Sequence, residues 1–277
     1  MTMLTAFHHD PSLKDFVLHQ LVQHRETDKL VQGRYWQDGK GCAVGCTLEA
    51  VRLRNHAPSI DHEAHNLYES ELGVPRALAR LEDRIFEGLP NAAAQLWPER
   101  FITAIAPGAD LAMVVPRFLF WLLDDELPQH VKDKYPKTKA ALADVTALYR
   151  EWIDTDRKPD RDRWVKARAA LDDAADADAA YAYAAYAADA YAAYAADAAA
   201  DAAAYAYAYA YAADAADAYA ADADAAAAYA ADAYAAYAAY ADAADAYAAD
   251  ARRAAYQRHA DKLIELLETA PISKAAA

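Results

Sequence analysis

Residues 214–250 read DAADAYAADADAAAAYAADAYAAYAAYADAADAYAAD, and the wider window 171–250 holds 49 Ala, 15 Asp, 15 Tyr and Leu171. Alanine loses no side-chain entropy on entering a helix, so this composition has a strong local helix preference. No Gly or Pro interrupts the chain from Asp160 to Ala270. A single helix over the window would run about 120 Å at roughly 1.5 Å per residue. It would carry Asp side chains with no Lys, Arg or Glu in the window to balance or pair with them. The expected arrangement is therefore an Ala-packed antiparallel helical array, because Ala faces let helices approach at the short end of the usual spacing. Turns are expected at DDAADAD, 172–178, and ADAD, 221–224.

Tyrosine spacing supports packing. Tyr183, Tyr194 and Tyr205 recur every 11 residues, and Tyr234, Tyr237 and Tyr240 climb one side at spacing 3. Tyr205, Tyr207, Tyr209 and Tyr211 alternate, a pattern that also fits a strand, although Ala disfavours a sheet there. Aromatic-rich composition separates the segment from the usual disordered type.

The 277-residue chain has a net charge of -15, which equals the charge of residues 171–250; the remainder balances 28 basic against 28 acidic residues. An acidic, Tyr-rich surface suits a basic protein partner, with Asp supplying the field and Tyr rigid contact area. Asp232, Tyr234, Tyr237, Tyr240, Asp242 and Asp245 are the candidate contact residues. The same charge repels phosphate, so direct nucleic-acid binding is not expected, whereas a DNA-mimic inhibitor is a special case of the partner reading. No run of 18 uncharged apolar residues suits a membrane span. The opening MTMLTAFHHDPSLKDF lacks a secretory pattern, and Cys42 and Cys46 are too few for a disulfide framework; a cytoplasmic location is expected.

Before residue 170 the chain reads as a conventional helical domain containing most of the large apolar residues. Asp10 and Pro11 open a helix carrying Leu13, Phe16, Val17 and Leu21, expected to reach about Gly33. Residues 33–46, GRYWQDGKGCAVGC, place four Gly in fourteen positions and predict a shaped loop. Ser59 is an expected cap for a helix through His62, His65, Tyr68 and Leu72 that stops at Gly73. Pro75 begins another, with Leu78, Leu81, Ile85 and Phe86 inward and Gly88 at its end. Further helices are expected near 97–105, 109–124, where Pro116 is a candidate kink, and 137–155. The segment DRKPDRD, 156–162, is the expected elbow between a helical domain, 1–159, and the Ala-rich array, 160–277. The fold class is all-α.

Candidate chemistry concentrates in the first hundred residues. Cys42, Cys46, His62 and His65 form a C-x3-C-x15-H-x2-H series, a set of N and S donors of the number that zinc takes, with His56 as an alternative ligand. A nucleophilic Cys42 or Cys46 with His62 or His65 as base and Glu69 or Glu71 as orienter is a second reading. The loop Gly39–Gly45 with Lys40 is a third, as an anion-binding nest without a Walker sequence. Glu82 and Asp83 read as solvated helix residues, and His8, His9 and Asp10 as part of a mobile terminus.

AAYAADAYAAYAAD, 184–197, and ARRAAYQRHADKLIELLETAP, 251–271, resemble the alanine-rich helical region of immunity proteins of bacterial toxin systems. The segments GKGCAVGCTLE, 39–49, and ELGVPRALARLEDRIFEGLPN, 71–91, resemble an uncharacterised bacterial or phage protein group, which implies no activity. The first resemblance implies a protein-binding, inhibitory role. A metal- or thiol-dependent enzyme with its site around Cys42, Cys46, His62 and His65 and a purely structural helical protein are the alternatives.

Overall fold

The computed structural model describes residues 4–126, 136–171, 173–174 and 245–273. Helices dominate these residues, and the only sheet among them is a two-stranded ribbon. Two compact units are present: residues 1–115 with 256–277, and residues 116–255. The elbow expected at 156–162 lies inside the second unit, where a turn at Asp156 and non-helical backbone at 157–160 separate two helices.

The first unit begins with a left-handed turn at Ala6–His9, in which Phe7, His8 and His9 have φ of 51°, 52° and 60°. This segment is pinned rather than loose. The Ala6 amide donates to Ala109 O at 3.0 Å, the Gly108 amide donates to Ala6 O at 2.7 Å, and Phe7 is fully buried. Helix α1 (Pro11–Glu26) starts as expected, with Asp10 Oδ1 accepting the Ser12 amide at 2.8 Å. It stops at Glu26 rather than near Gly33, because the chain turns through Asp28 at φ 53°. Strands β1 (Trp36–Gln37) and β2 (Lys40–Gly41) follow as a tight antiparallel ribbon. Helix α2 (Ala43–Arg54) packs against α1 along a buried face that includes Val44, Leu48 and Val51.

Residues 55–66 form turns, so Ser59 caps no helix and His62 and His65 lie on a loop. Helix α3 is only Leu67–Leu72, closed by Gly73 in the left-handed conformation. Helix α4 (Arg76–Gly88) starts after Pro75 and buries Leu78, Leu81, Ile85 and Phe86, as the sequence predicts. The short α5 (Asn91–Ala94) and α6 (Trp97–Ala104) complete the wall that carries Trp97, Phe101 and Ile102.

Helix α7 (Val114–Trp121) carries Pro116 in its first turn, where the missing amide has no helical acceptor to lose, and continues into a π-helical turn at Leu122–Glu126. In the second unit, α8 (Pro136–Thr155) and α9 (residues 161–171) bury Tyr149, Trp152, Trp164 and Leu171, with the Tyr149 and Trp164 rings 4.8 Å apart. Helix α10 (Asp245–Glu268) closes the described chain. Its first-unit residues Tyr256, Ala260, Leu263 and Leu267 are buried. The antiparallel arrangement expected for the Ala/Tyr/Asp region falls outside the described residues. Among the described residues no helix is long and apolar enough to cross a membrane.

Candidate functional site

The Gly-rich segment is built for a close backbone approach. A β-carbon on Gly41 or on Gly45 would overlap the Tyr35 carbonyl oxygen, so the segment carrying Tyr35 and Trp36 lies directly against the start of α2 only because both positions lack a side chain. Backbone bonds lock this approach. The Cys42 amide donates to Arg34 O at 2.8 Å and the Gly41 amide to Lys29 O at 2.9 Å. Two of the backbone donors of Gly39–Gly45, those of Gly41 and Cys42, are thereby used within the protein.

Locking the loop places Tyr35 and Cys42 beside α4. The Tyr35 hydroxyl donates to Asp83 Oδ2 at 3.0 Å, and the Gly33 amide donates to Glu87 Oε2 at 2.8 Å. Asp83 and Glu87 stand one helical turn apart on α4, and each has one oxygen held by the 33–35 loop. The Cys42 thiol lies within hydrogen-bonding reach of Asp83. Donor atoms of Cys42, Asp83 and Glu87 fall within 4.8 Å of one another. They border a cavity of about 340 Å³ lined also by Gly33, Arg34, Tyr35 and Arg84.

The other expected zinc donors stand outside this group. Cys46 is buried, with its thiol 3.5 Å from the Gly41 carbonyl oxygen. His62 Nε2 is 3.1 Å from Glu49 Oε2, and its ring stacks on Trp36 at 4.8 Å with 6° between planes. His65 meets the Tyr35 ring edge-on at 5.6 Å, and its Nε2 lies 3.7 Å from Asp83 Oδ2. His65 therefore borders the site behind Asp83. His56 is exposed. Glu69 accepts the Arg76 amide at the start of α4 and Glu71 accepts from Asn55, so neither orients an imidazole. Of the partner-contact candidates, Asp245 is the first residue of α10, while Asp232, Tyr234, Tyr237, Tyr240 and Asp242 lie outside the described residues.

Electrostatics separate the thiol and metal readings. Burial, reinforced by Asp83, pushes the Cys42 thiol far above its usual range, and burial pushes Cys46 up to about 12. His62 Nε2 is engaged by Glu49, and His65 Nε2 has no hydrogen-bond partner, so neither nitrogen is hydrogen-bonded to a thiol. A thiol held protonated is a poor nucleophile. A divalent cation reverses that condition, since it displaces the proton and stabilises the thiolate and carboxylates together. Burial also raises Glu87, assisted by neighbouring Asp83.

Glu82, read from sequence as solvated, is fully buried. Its Oε2 accepts the Tyr68 hydroxyl at 2.7 Å, its Oε1 has no partner, and burial pushes its carboxyl up to about 8. The sequence held a signal for this position: Glu82 stands four residues from both Leu78 and Phe86, on the apolar side of α4. Asp83 and Glu87 gave a weaker one, a shared face at spacing 4, with nothing to show what lay opposite. Comparison of the chain with family models, curated proteins and solved structures gives no match.

Proposed function

We propose that the protein is a metal-dependent enzyme whose ion, a divalent transition metal of the zinc class, sits between Cys42, Asp83 and Glu87. The observation that carries this reading is the convergence of one thiol and two carboxylates, contributed by the N-cap of α2 and by α4, with the carboxylates oriented by Tyr35 and Gly33. Donors around a tetrahedral zinc ion stand about 3.5 Å apart, so separations up to 4.8 Å close with modest side-chain rotation. Three protein donors leave a fourth position open. That is the arrangement of a Lewis-acid centre that polarises water or a substrate, as opposed to a closed structural site. Elemental analysis of untagged full-length protein, after reconstitution with zinc, is expected to give one ion per chain, and Cys42→Ser and Asp83→Asn are expected to lower that occupancy sharply. Absence of stoichiometric metal, or full retention of it in both variants, overturns the assignment.

A second reading rests on a different observation, the confinement of all net charge to residues 171–250. It makes the Ala/Tyr/Asp region an immunity-like surface for a basic protein partner. Capture from lysate followed by Asp232→Asn, Asp242→Asn and Asp245→Asn in combination tests it. Reduced affinity and a flatter salt dependence support this surface; an unchanged complex removes it.

A further inference from the structure

We infer that His65 is a positioning residue of the metal site: its Nε2–H closes on Asp83 Oδ2 beside the Tyr35 hydroxyl and holds that carboxylate in place for the ion. The inference rests on the metal reading and adds to it a residue that does not touch the metal.

The backbone delivers the ring to one place. His65 stands on the turn before α3, where its amide donates to Glu63 O at 2.9 Å and its carbonyl oxygen accepts the Tyr68 amide at 3.1 Å. The imidazole then meets Tyr35 edge-on, with centroids 5.6 Å apart and 88° between planes. Its Nε2 is buried with no hydrogen-bond partner and lies 3.7 Å from Asp83 Oδ2. A buried polar nitrogen left unpaired costs free energy, and here an acceptor stands within reach. A shift of about 0.8 Å brings the pair to ordinary N–H···O length. Facing a carboxylate, the imidazole carries hydrogen on Nε2, because a bare lone pair there would oppose another.

Two donors on one oxygen do what one does not. The Tyr35 hydroxyl, at 3.0 Å, fixes Oδ2 but leaves the carboxylate free to swing about that bond. A second donor on the same oxygen, from a different segment of chain, removes the swing, so less order has to be imposed when an ion engages Asp83. His62 does not share this task, since its Nε2 is engaged by Glu49. The residues lining the cavity are Gly33, Arg34, Tyr35, Cys42, Asp83, Arg84 and Glu87, so His65 acts from behind Asp83 and not as a ligand.

The test measures zinc affinity of full-length protein by competition with a chromogenic chelator, with urea midpoints reporting that each variant is folded. His65→Phe keeps a flat ring beside Tyr35 and removes both nitrogens; His65→Met is a second side chain without a donor, and His65→Gln places an amide N–H at comparable reach. The Phe and Met variants are expected to lose about tenfold or more in affinity, the usual effect of a group that orients a ligand, and the Gln variant to recover most of that loss. Recovery by Gln separates a hydrogen bond from ring packing. If the parent binds no stoichiometric zinc, or Cys42→Ser retains it in full, the metal reading itself falls. If the parent binds zinc through Cys42 and whichever of the Phe and Met variants is folded matches it, the positioning role alone is overturned. A Gln variant as weak as those without a donor overturns it as well.

Discussion

The carbonyl oxygen of Tyr35 occupies the space that a β-carbon on Gly45 would need. This one approach brings the Tyr35 side chain to Asp83 and the Cys42 thiol to the same carboxylate, so the site depends on two positions that offer no chemistry of their own. Gly45→Ala should therefore displace the ribbon or the start of α2, at a cost of about 1–3 kcal/mol, the usual range for overpacking a tight contact. Gly39 makes the useful contrast, since its φ is 77° and a β-carbon there meets nothing within 4 Å. Gly39→Ala should cost about 1 kcal/mol through backbone strain alone. Urea denaturation should rank Gly45→Ala below Gly39→Ala; the reverse order would contradict the close-approach account.

Glu82 gives the fold a pH dependence of defined sign. Its carboxyl sits at about 8 in the folded protein against a reference of 4.5, because burial disfavours the charged form. Between those values the native state holds a proton that the unfolded chain has released. Stability from this group is full below about 4.5, falls as pH rises, and levels off above about 8. Urea midpoints measured from pH 5 to 8 should decline, and Glu82→Gln should flatten the decline. An equal slope in the variant would place the pH dependence elsewhere.

The two thiols should be inert in metal-free protein. Cys46 moves from a reference of 9.0 to about 12, which lowers its thiolate fraction about a thousandfold, and Cys42 is shifted further in the same direction. Both should react with a thiol reagent far more slowly in native protein than in urea. Since metal binding must release the Cys42 proton, zinc affinity should rise with pH by about tenfold per unit. A rapid native reaction of Cys42 without metal would instead revive the nucleophile reading.

Tyr35 should matter for the metal without touching it. Burial, assisted by Asp83, raises its phenol well above the ordinary range, so it remains a donor to the carboxylate at any working pH. Tyr35→Phe keeps the ring against His65 and removes only the hydroxyl. Zinc affinity should drop about tenfold or more, as for other groups that orient a ligand, while the fold is retained. Competition against a chromogenic chelator measures the change; unaltered affinity would exclude the positioning role.

The helical class, the Asp10 cap, the stop at Gly73 and the inward face of α4 were legible because each depends on residues within one or two turns of one another. Local preference also located the shaped loop in GRYWQDGKGCAVGC. It misassigned His62 and His65 to a helix: Ser59 is a competent cap by residue type, but the loop's turns and the stacking of His62 on Trp36 hold the chain otherwise. Among the described residues the donors that converge on Cys42 are Asp83 and Glu87 and not the others of the zinc series, for a related reason. Spacing along the chain places Cys42 at the N-cap of α2 and Cys46 in its first turn, yet a donor set is assembled by which elements face each other.

By itself the sequence determined the helical composition, the confinement of the charge to residues 171–250 and the presence of a glycine-shaped loop before α2, since these follow from intrinsic backbone preference and side-chain identity. Only the tertiary structure decided that Asp83 and Glu87, rather than Cys46, His62 and His65, share a pocket with Cys42. That pairing joins residues about forty positions apart, and it arises where α2 and the 33–35 loop meet α4. Burial then does what no linear pattern encodes: it holds the Cys42 thiol protonated and makes Glu82 a neutral acid, because the cost of a charge depends on the atoms that replace water around it.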